Sequence, residues 1–207
     1  MKSLELLNDL IKINSIKINL KNSFSWASGW KSPFYFDNRV SLSYPLIRNE
    51  ITERLVSLIN KNYREVEVIA GVATAGIPQG ALVSEKLNLP FSYVRSKPKS
   101  HGMKNMIEGK IEKGKKVLLI EDLISTGGSS INAVEAVREN ESHVIGVISI
   151  FNYGFKVSEE NFKKINCKTE SIFYYNDLLT IAHKKNYINN QDLEKLKIWR
   201  DNPEEWK

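Results

Sequence analysis

Cysteine is almost absent from this chain of 207 residues: Cys167 stands alone, so no internal disulfide can form and too few thiols exist for a zinc cluster. No apolar run approaches the ~18–20 residues that a membrane span requires. The opening stretch, MKSLELLNDLIKIN, carries acidic residues and no small-residue cleavage site, which argues against a secretory signal. Internal repeats and low-complexity stretches are also missing. What is present is an ordinary globular composition, 42% hydrophobic and 26% charged. The expectation is a single domain in a reducing cytoplasm, with no membrane partner.

The net charge of +6 raises nucleic acid as a partner. Its distribution points elsewhere. Arg95, Lys97, Lys99, Lys104, Lys110, Lys113, Lys115 and Lys116 face only Glu108 and Glu112 within residues 95–116, so that segment carries the whole excess and the remainder balances at zero. A nucleic-acid binder spreads its basic footprint over a face or several elements. One concentrated segment suits a compact polyanion, and no nucleic-acid partner is expected.

Periodicity organises the rest. Residues 3–14 place Leu4, Leu7, Leu10 and Ile11 at helical spacing. The stretch 24–45 is rich in aromatics, Ser and Gly and alternates like short strands. Pro45 opens a second helix to about Tyr63, with Ile47, Ile51, Leu55, Leu58 and Ile59 on one face. Apolar strands are then expected at 66–72, 91–96, 116–122, 143–151 and 168–175, with helices at 77–87 and 129–140 and two more closing the chain. Successive apolar strands joined by helices predict an α/β fold: a doubly wound, mainly parallel sheet flanked by helices. Residues 1–44 are expected to form a small N-terminal hood, 45–175 the core and 176–207 the C-terminal helices.

The chemistry concentrates in VLLIEDLISTGGSS (117–130). Glu121 and Asp122 are placed at the end of a buried strand. A turn follows, Ser125-Thr126-Gly127-Gly128-Ser129, leading into a helix. Such a turn aims backbone N–H groups and the positive end of the helix dipole at one point, which suits a phosphate monoester. The acidic pair repels phosphate but accepts hydrogen bonds from sugar hydroxyls. Together they describe a ribose 5-phosphate. The alternative is a Gly turn that merely caps a helix.

The stretch EDLISTGGS resembles the signature of type I phosphoribosyltransferases, enzymes that use 5-phosphoribosyl-1-pyrophosphate. The resemblance implies that Glu121 and Asp122 take the ribose, that Ser125, Thr126, Gly127, Gly128 and Ser129 take the 5′-phosphate, and that Leu123 and Ile124 also belong to the phosphoribosyl-pyrophosphate site. ATAGIP (73–78) resembles the family's pyrophosphate loop, in which Thr74 and Ala75 would meet the leaving group. YVRSKPKSHG (93–102) resembles the catalytic loop of the orotate branch, with Arg95, Lys99 and His101 as pyrophosphate contacts. SGWKSPFYFDNR (28–39) resembles that branch's hood motif.

By that resemblance Lys31, Phe34, Tyr35, Arg39 and Ser125 would contact orotate, with Arg39 forking onto its carboxylate. Since alternate strand residues face opposite sides, at least one of the aromatics is expected to be hood core. One branch carries a lysine before the hood Ser-Gly where this chain has Ala27, and a basic residue where it has Ser96. That branch also has an arginine after the strand ending near Phe151, absent from SIFNYG (149–154). The implied reaction joins orotate and 5-phosphoribosyl-1-pyrophosphate to give orotidine 5′-monophosphate and pyrophosphate in de novo pyrimidine (UMP) synthesis. Lys99, His101 and Asp122 would be catalytic, and Mg²⁺ would be held mainly by substrate with no direct protein ligand. A homodimer is implied whose loop reaches the neighbouring site. The alternatives are a phosphoribosyltransferase for another base and a non-catalytic regulator that binds phosphoribosyl pyrophosphate.

Overall fold

The computed structural model describes residues 4–26, 29–96 and 106–206. The chain begins with helix α1 (Glu5–Lys12) and the short strands β1 (Ile16–Ile18), β2 (Phe24–Ser25), β3 (Lys31–Ser32) and β4 (Phe34–Phe36). A 3-10 turn at Asn38–Ser43 leads to α2 (Pro45–Asn62). Then come β5 (Val68–Val72), α3 (Gly76–Leu87), β6 (Phe91–Val94), β7 (Ile107–Glu108), β8 (Lys116–Ile124), α4 (Gly128–Glu139) and β9 (His143–Asn152). The chain ends with α5 (Lys156–Lys164), β10 (Thr169–Tyr174), α6 (Tyr175–Lys184), α7 (Asn190–Asp201) and a 3-10 turn at Pro203–Glu205.

One compact unit spans Asn49–Ile172. Its sheet runs in the order β10-β9-β8-β5-β6-β7. β5 lies parallel to β6 and β8, and β8 is parallel to β9; β7 pairs antiparallel with β6. The mainly parallel, doubly wound arrangement is the one expected. Both faces are covered, so the central strands read as nearly continuous apolar runs. On one face Val68, Ala70, Val72, Val117, Leu119 and Val147 share a core with Ala133, Val134 and Val137 of α4 and Phe162 of α5.

Among the elements not anticipated are β1, β7 and α5. β7 has only two residues and is defined by pairing Tyr93↔Glu108 and Val94↔Ile107. α5, KVSEENFKK, buries only Ser158 and Phe162, too few for a periodic signal. β8 also runs past Glu121 and Asp122 to Ile124, because β9 continues to pair with it at Leu123↔Phe151 and Ile124↔Asn152.

The other unit joins the chain up to Arg48 with the chain from Phe173 onward. The C-terminal helices are therefore part of the same packing unit as the N-terminal segment rather than a separate closing layer. β4 pairs antiparallel with β1, Ile16 opposite Phe36. Leu6, Leu7, Leu10, Ile16, Phe34, Tyr175, Leu178 and Trp199 are buried. Trp199 donates its indole N–H to the Lys31 carbonyl at 3.0 Å, and Trp206 donates to Ser23 Oγ at 2.7 Å. Tyr175 donates to the Leu196 carbonyl at 3.0 Å. The two indole bonds connect segments more than 150 positions apart in sequence. Trp199→Phe keeps most of the ring but leaves the Lys31 carbonyl without its donor. A loss of about 1–2 kcal/mol is expected, read as a lower urea midpoint; an unchanged midpoint would count against the bond.

Candidate active site

The ladder between β5 and β8 ends at Gly71↔Ile120. Beyond it β8 continues beside β9 only, while β5 turns away through Ala73–Ala75 into α3. β5 is followed by β6 on one side and has β8 on the other, so the chain order reverses here. A crevice at the carboxyl ends of the strands is the usual ligand site of such a sheet. Glu121 and Asp122 stand on its β8 bank, just past the last β5 pair. Gly76, at the start of α3, occupies the opposite bank. A Cβ on Gly76 would strike the Ile120 carbonyl oxygen and lie 3.3 Å from Glu121 Cα. The small-residue loop and the acidic pair are thus held in direct backbone proximity. Thr74 is exposed and Ala75 half-buried, and the Ala73–Thr74 peptide is cis.

The turn after β8 takes its shape from Gly127, whose φ of 85° is a conformation that side chains with a Cβ rarely adopt. The Gly127 carbonyl accepts from Ile131 N at 2.9 Å and starts α4. A Cβ on Gly127 would lie 2.7 Å from Phe162 Cε2, so the unanticipated α5 forms the floor under this turn. Gly128 opens onto free space, with nothing within 4 Å of a Cβ there. No side chain caps α4, which leaves its first-turn amides facing outward for an anion. Ser125 and Thr126 are half-buried and Ser129 is exposed. The Ile124 side chain, expected among the ligand contacts, is buried in the core, and its carbonyl accepts from Tyr153 N at 3.0 Å.

Glu121 is buried, at 4% exposure. Its Oε2 accepts from Ser129 Oγ at 3.0 Å and from Ser130 Oγ at 3.1 Å. Its Oε1 accepts from Asp122 N at 3.1 Å. Burial, and then the neighbouring Asp122 charge, push its pKa well above the usual carboxylate range. Asp122 is half-buried beside it. Sequence reading did not single out Ser130, because it sits in a run of hydroxyl residues and only the helix geometry separates an inward serine from an outward one.

The basic segment divides. Lys110 pairs with Glu112, Lys113 with Glu141, Lys115 with Glu67 and Lys116 with Glu65, all at the surface. Arg95 pairs with Glu108 at 3.2 Å, and its backbone N donates to the Met106 carbonyl at 2.8 Å. Lys99 and His101 lie outside the described residues, as do Lys97 and Lys104.

The N-terminal unit sorts its own candidates. Phe34 is fully buried, its ring edge-on to Tyr175 at 5.5 Å and tilted against Trp199 at 6.2 Å. It is hood core and offers no face to a ligand, because β4 alternates and turns both phenylalanines inward. Tyr35 points outward at 36% exposure, and the Lys31 side chain is exposed. Arg39 already forks onto a carboxylate, that of Asp37, through Nε–Oδ1 at 2.7 Å and Nη2–Oδ2 at 2.9 Å. This pair holds the Asp37 carboxyl below its ordinary pKa.

Comparison with known proteins follows the same lines. Residues 43–179 match the family described as phosphoribosyl transferase domain. The chain is 50% identical over 203 residues to the orotate phosphoribosyltransferase of Cytophaga hutchinsonii, covering 98% of this chain and 97% of that one. It is 51% identical over 208 residues to the corresponding protein of Phocaeicola vulgatus, covering 100% and 98%. Among solved structures, the orotate phosphoribosyltransferase from Aeropyrum pernix aligns with a TM-score of 0.77 at 25% identity, over 89% of this chain and 99% of that one.

Proposed function

The chain belongs to the phosphoribosyltransferase family, and on that premise we propose that it transfers the phosphoribosyl group of 5-phosphoribosyl-1-pyrophosphate to orotate, giving orotidine 5′-monophosphate and pyrophosphate. The observation that carries this reading is the uncapped α4 turn standing beside a paired carboxylate at the sheet's switch point. Amides of Ser125–Ser129 hold the 5′-phosphate, and Glu121 and Asp122 accept from the ribose hydroxyls. Backbone groups of Thr74 and Ala75 meet the pyrophosphate. N1 of orotate displaces pyrophosphate at C1, through a transition state in which the sugar carries positive charge. Asp122 stabilises that charge, while Arg95, Lys99 and His101 neutralise the leaving group.

Ser125, Lys31, Tyr35 and Arg39 carry the assignment to orotate. For Arg39, the ligand carboxylate competes with Asp37 for the guanidinium fork. Among the described residues no group of three or more His, Cys, Asp or Glu is placed to hold a metal. We place the ligands of Mg²⁺ mainly on substrate oxygens and water, and the ion would supply charge neutralisation on the pyrophosphate. The reading includes a cytoplasmic homodimer in which the loop carrying Arg95, Lys99 and His101 acts on the neighbouring subunit's substrate. No helix among the described residues is long and apolar enough to cross a membrane.

Mixing the protein with orotate, phosphoribosyl pyrophosphate and Mg²⁺ should consume orotate absorbance; uracil and purine bases should neither react nor compete. Consumption of another base instead would overturn the acceptor, and no turnover at all would overturn the enzyme. Asp122→Asn keeps the shape and one acceptor oxygen but removes the charge. A fall of about tenfold in kcat/KM for phosphoribosyl pyrophosphate is expected, with a thermal midpoint near that of the parent. Unaltered kinetics would remove Asp122 from the sugar site.

A further inference from the structure

Glu121 accepts a hydrogen bond on Oε1 from Asp122 N, but its Oε2 is closed to an approaching sugar. A carboxylate oxygen accepts about two hydrogen bonds, and both places on Oε2 are filled, by Ser129 and by Ser130. A ribose hydroxyl can reach Oε2 only when one serine withdraws. The two differ in surroundings. Ser129 is exposed at the mouth of the turn, whereas Ser130 is fully buried on the inner side of α4. A hydroxyl has a single proton to donate, and a bound phosphate, which only accepts, draws that proton from Ser129.

We propose that the two serines divide this work: Ser129 leaves Glu121 for the arriving phosphate and so opens Oε2 to the ribose, while Ser130 stays and keeps the carboxylate aimed. Ser130 is then a positioning residue, acting through Glu121 without touching substrate, and capture of the phosphate is coupled to readiness for the sugar. The inference rests on the ribose-phosphate reading of the α4 turn. Burial and the Asp122 charge both disfavour an ionised Glu121, so a permanent donor has more to do here than at an exposed carboxylate.

The test uses two competitive inhibitors of phosphoribosyl pyrophosphate, ribose 5-phosphate and its 2,3-dideoxy analogue, against the full-length protein. The parent should bind ribose 5-phosphate more tightly than the analogue. In Ser130→Ala the inhibition constant for ribose 5-phosphate should rise about fivefold, the scale of one lost hydrogen bond, with that of the analogue unchanged. Ser129→Ala should weaken both alike, since the phosphate is common to them. Ser130→Cys, close in size but a weak donor, should repeat the Ser130→Ala pattern and guards against a packing defect in the alanine variant. Equal weakening of both ligands in Ser130→Ala and Ser130→Cys, or no weakening, overturns the division of roles. Failure of the parent to distinguish the two ligands overturns instead the ribose assignment beneath it.

Discussion

Gly76→Ala is expected to remove about 4 kcal/mol or more of stability and to abolish use of phosphoribosyl pyrophosphate in the fraction that still folds. A methyl group there has nowhere to go. Its carbon would overlap the Ile120 carbonyl oxygen and stand 3.2 Å from the Ile120 carbonyl carbon. These are backbone atoms of the central strand, pinned on one side by Gly71↔Ile120 and on the other by Ile120↔Ile148. No side chain can rotate away to make room, so α3 must withdraw and take Thr74 and Ala75 with it. Overpacking by one methylene usually costs about 1–3 kcal/mol; a clash with paired backbone belongs at or beyond that range. Gly128→Ala is the control. It adds the same atom into open space and should shift the midpoint by no more than about 1 kcal/mol. Equal midpoints for the parent and Gly76→Ala would refute the close approach of α3 to β8.

That clash marks the boundary of what the residues disclosed by themselves. The strands Val68–Val72 and Lys116–Ile124 were legible because burial on both faces makes them almost uniformly apolar. The α4 turn was legible because Gly-Gly and hydroxyl residues after such a strand have few other uses. Relations between distant segments were not. Gly76 reads as one small residue among several in ATAGIP, and only the fold sets it against Ile120. Trp199 could be assigned nothing from its helix, since its partner is a carbonyl in β3. In PFYF the aromatics could be counted but not sorted until the pairing of β4 with β1 fixed the alternation, placing Phe34 and Phe36 inside and Tyr35 outside. Glu108 lies in a strand too short to announce itself, and it is the partner of Arg95.

The same sorting of partners sharpens the expectation for Lys99→Ala, a fall in kcat of more than tenfold, on the order of 10²-fold, with the thermal midpoint unchanged. Of the eight cations that give residues 95–116 their charge, Lys110, Lys113, Lys115 and Lys116 are matched to surface glutamates, and Arg95 is shared with Glu108. Lys97, Lys99, His101 and Lys104 lie outside the described residues, and of these the family resemblance puts Lys99 and His101 on the leaving group. Departing pyrophosphate gains negative charge as the bond to C1 breaks, and a cation placed on it stabilises the transition state more than the bound substrate. The loss should appear in kcat more than in KM, because ground-state binding retains the amides of both turns. Lys113→Ala removes a charge of the same sign, but one already paired with Glu141 at the surface, and should change turnover by less than about twofold. If Lys99→Ala and Lys113→Ala behave alike, the loop contributes only its bulk charge, and neutralisation of the leaving group must be sought in Arg95 and the proposed Mg²⁺.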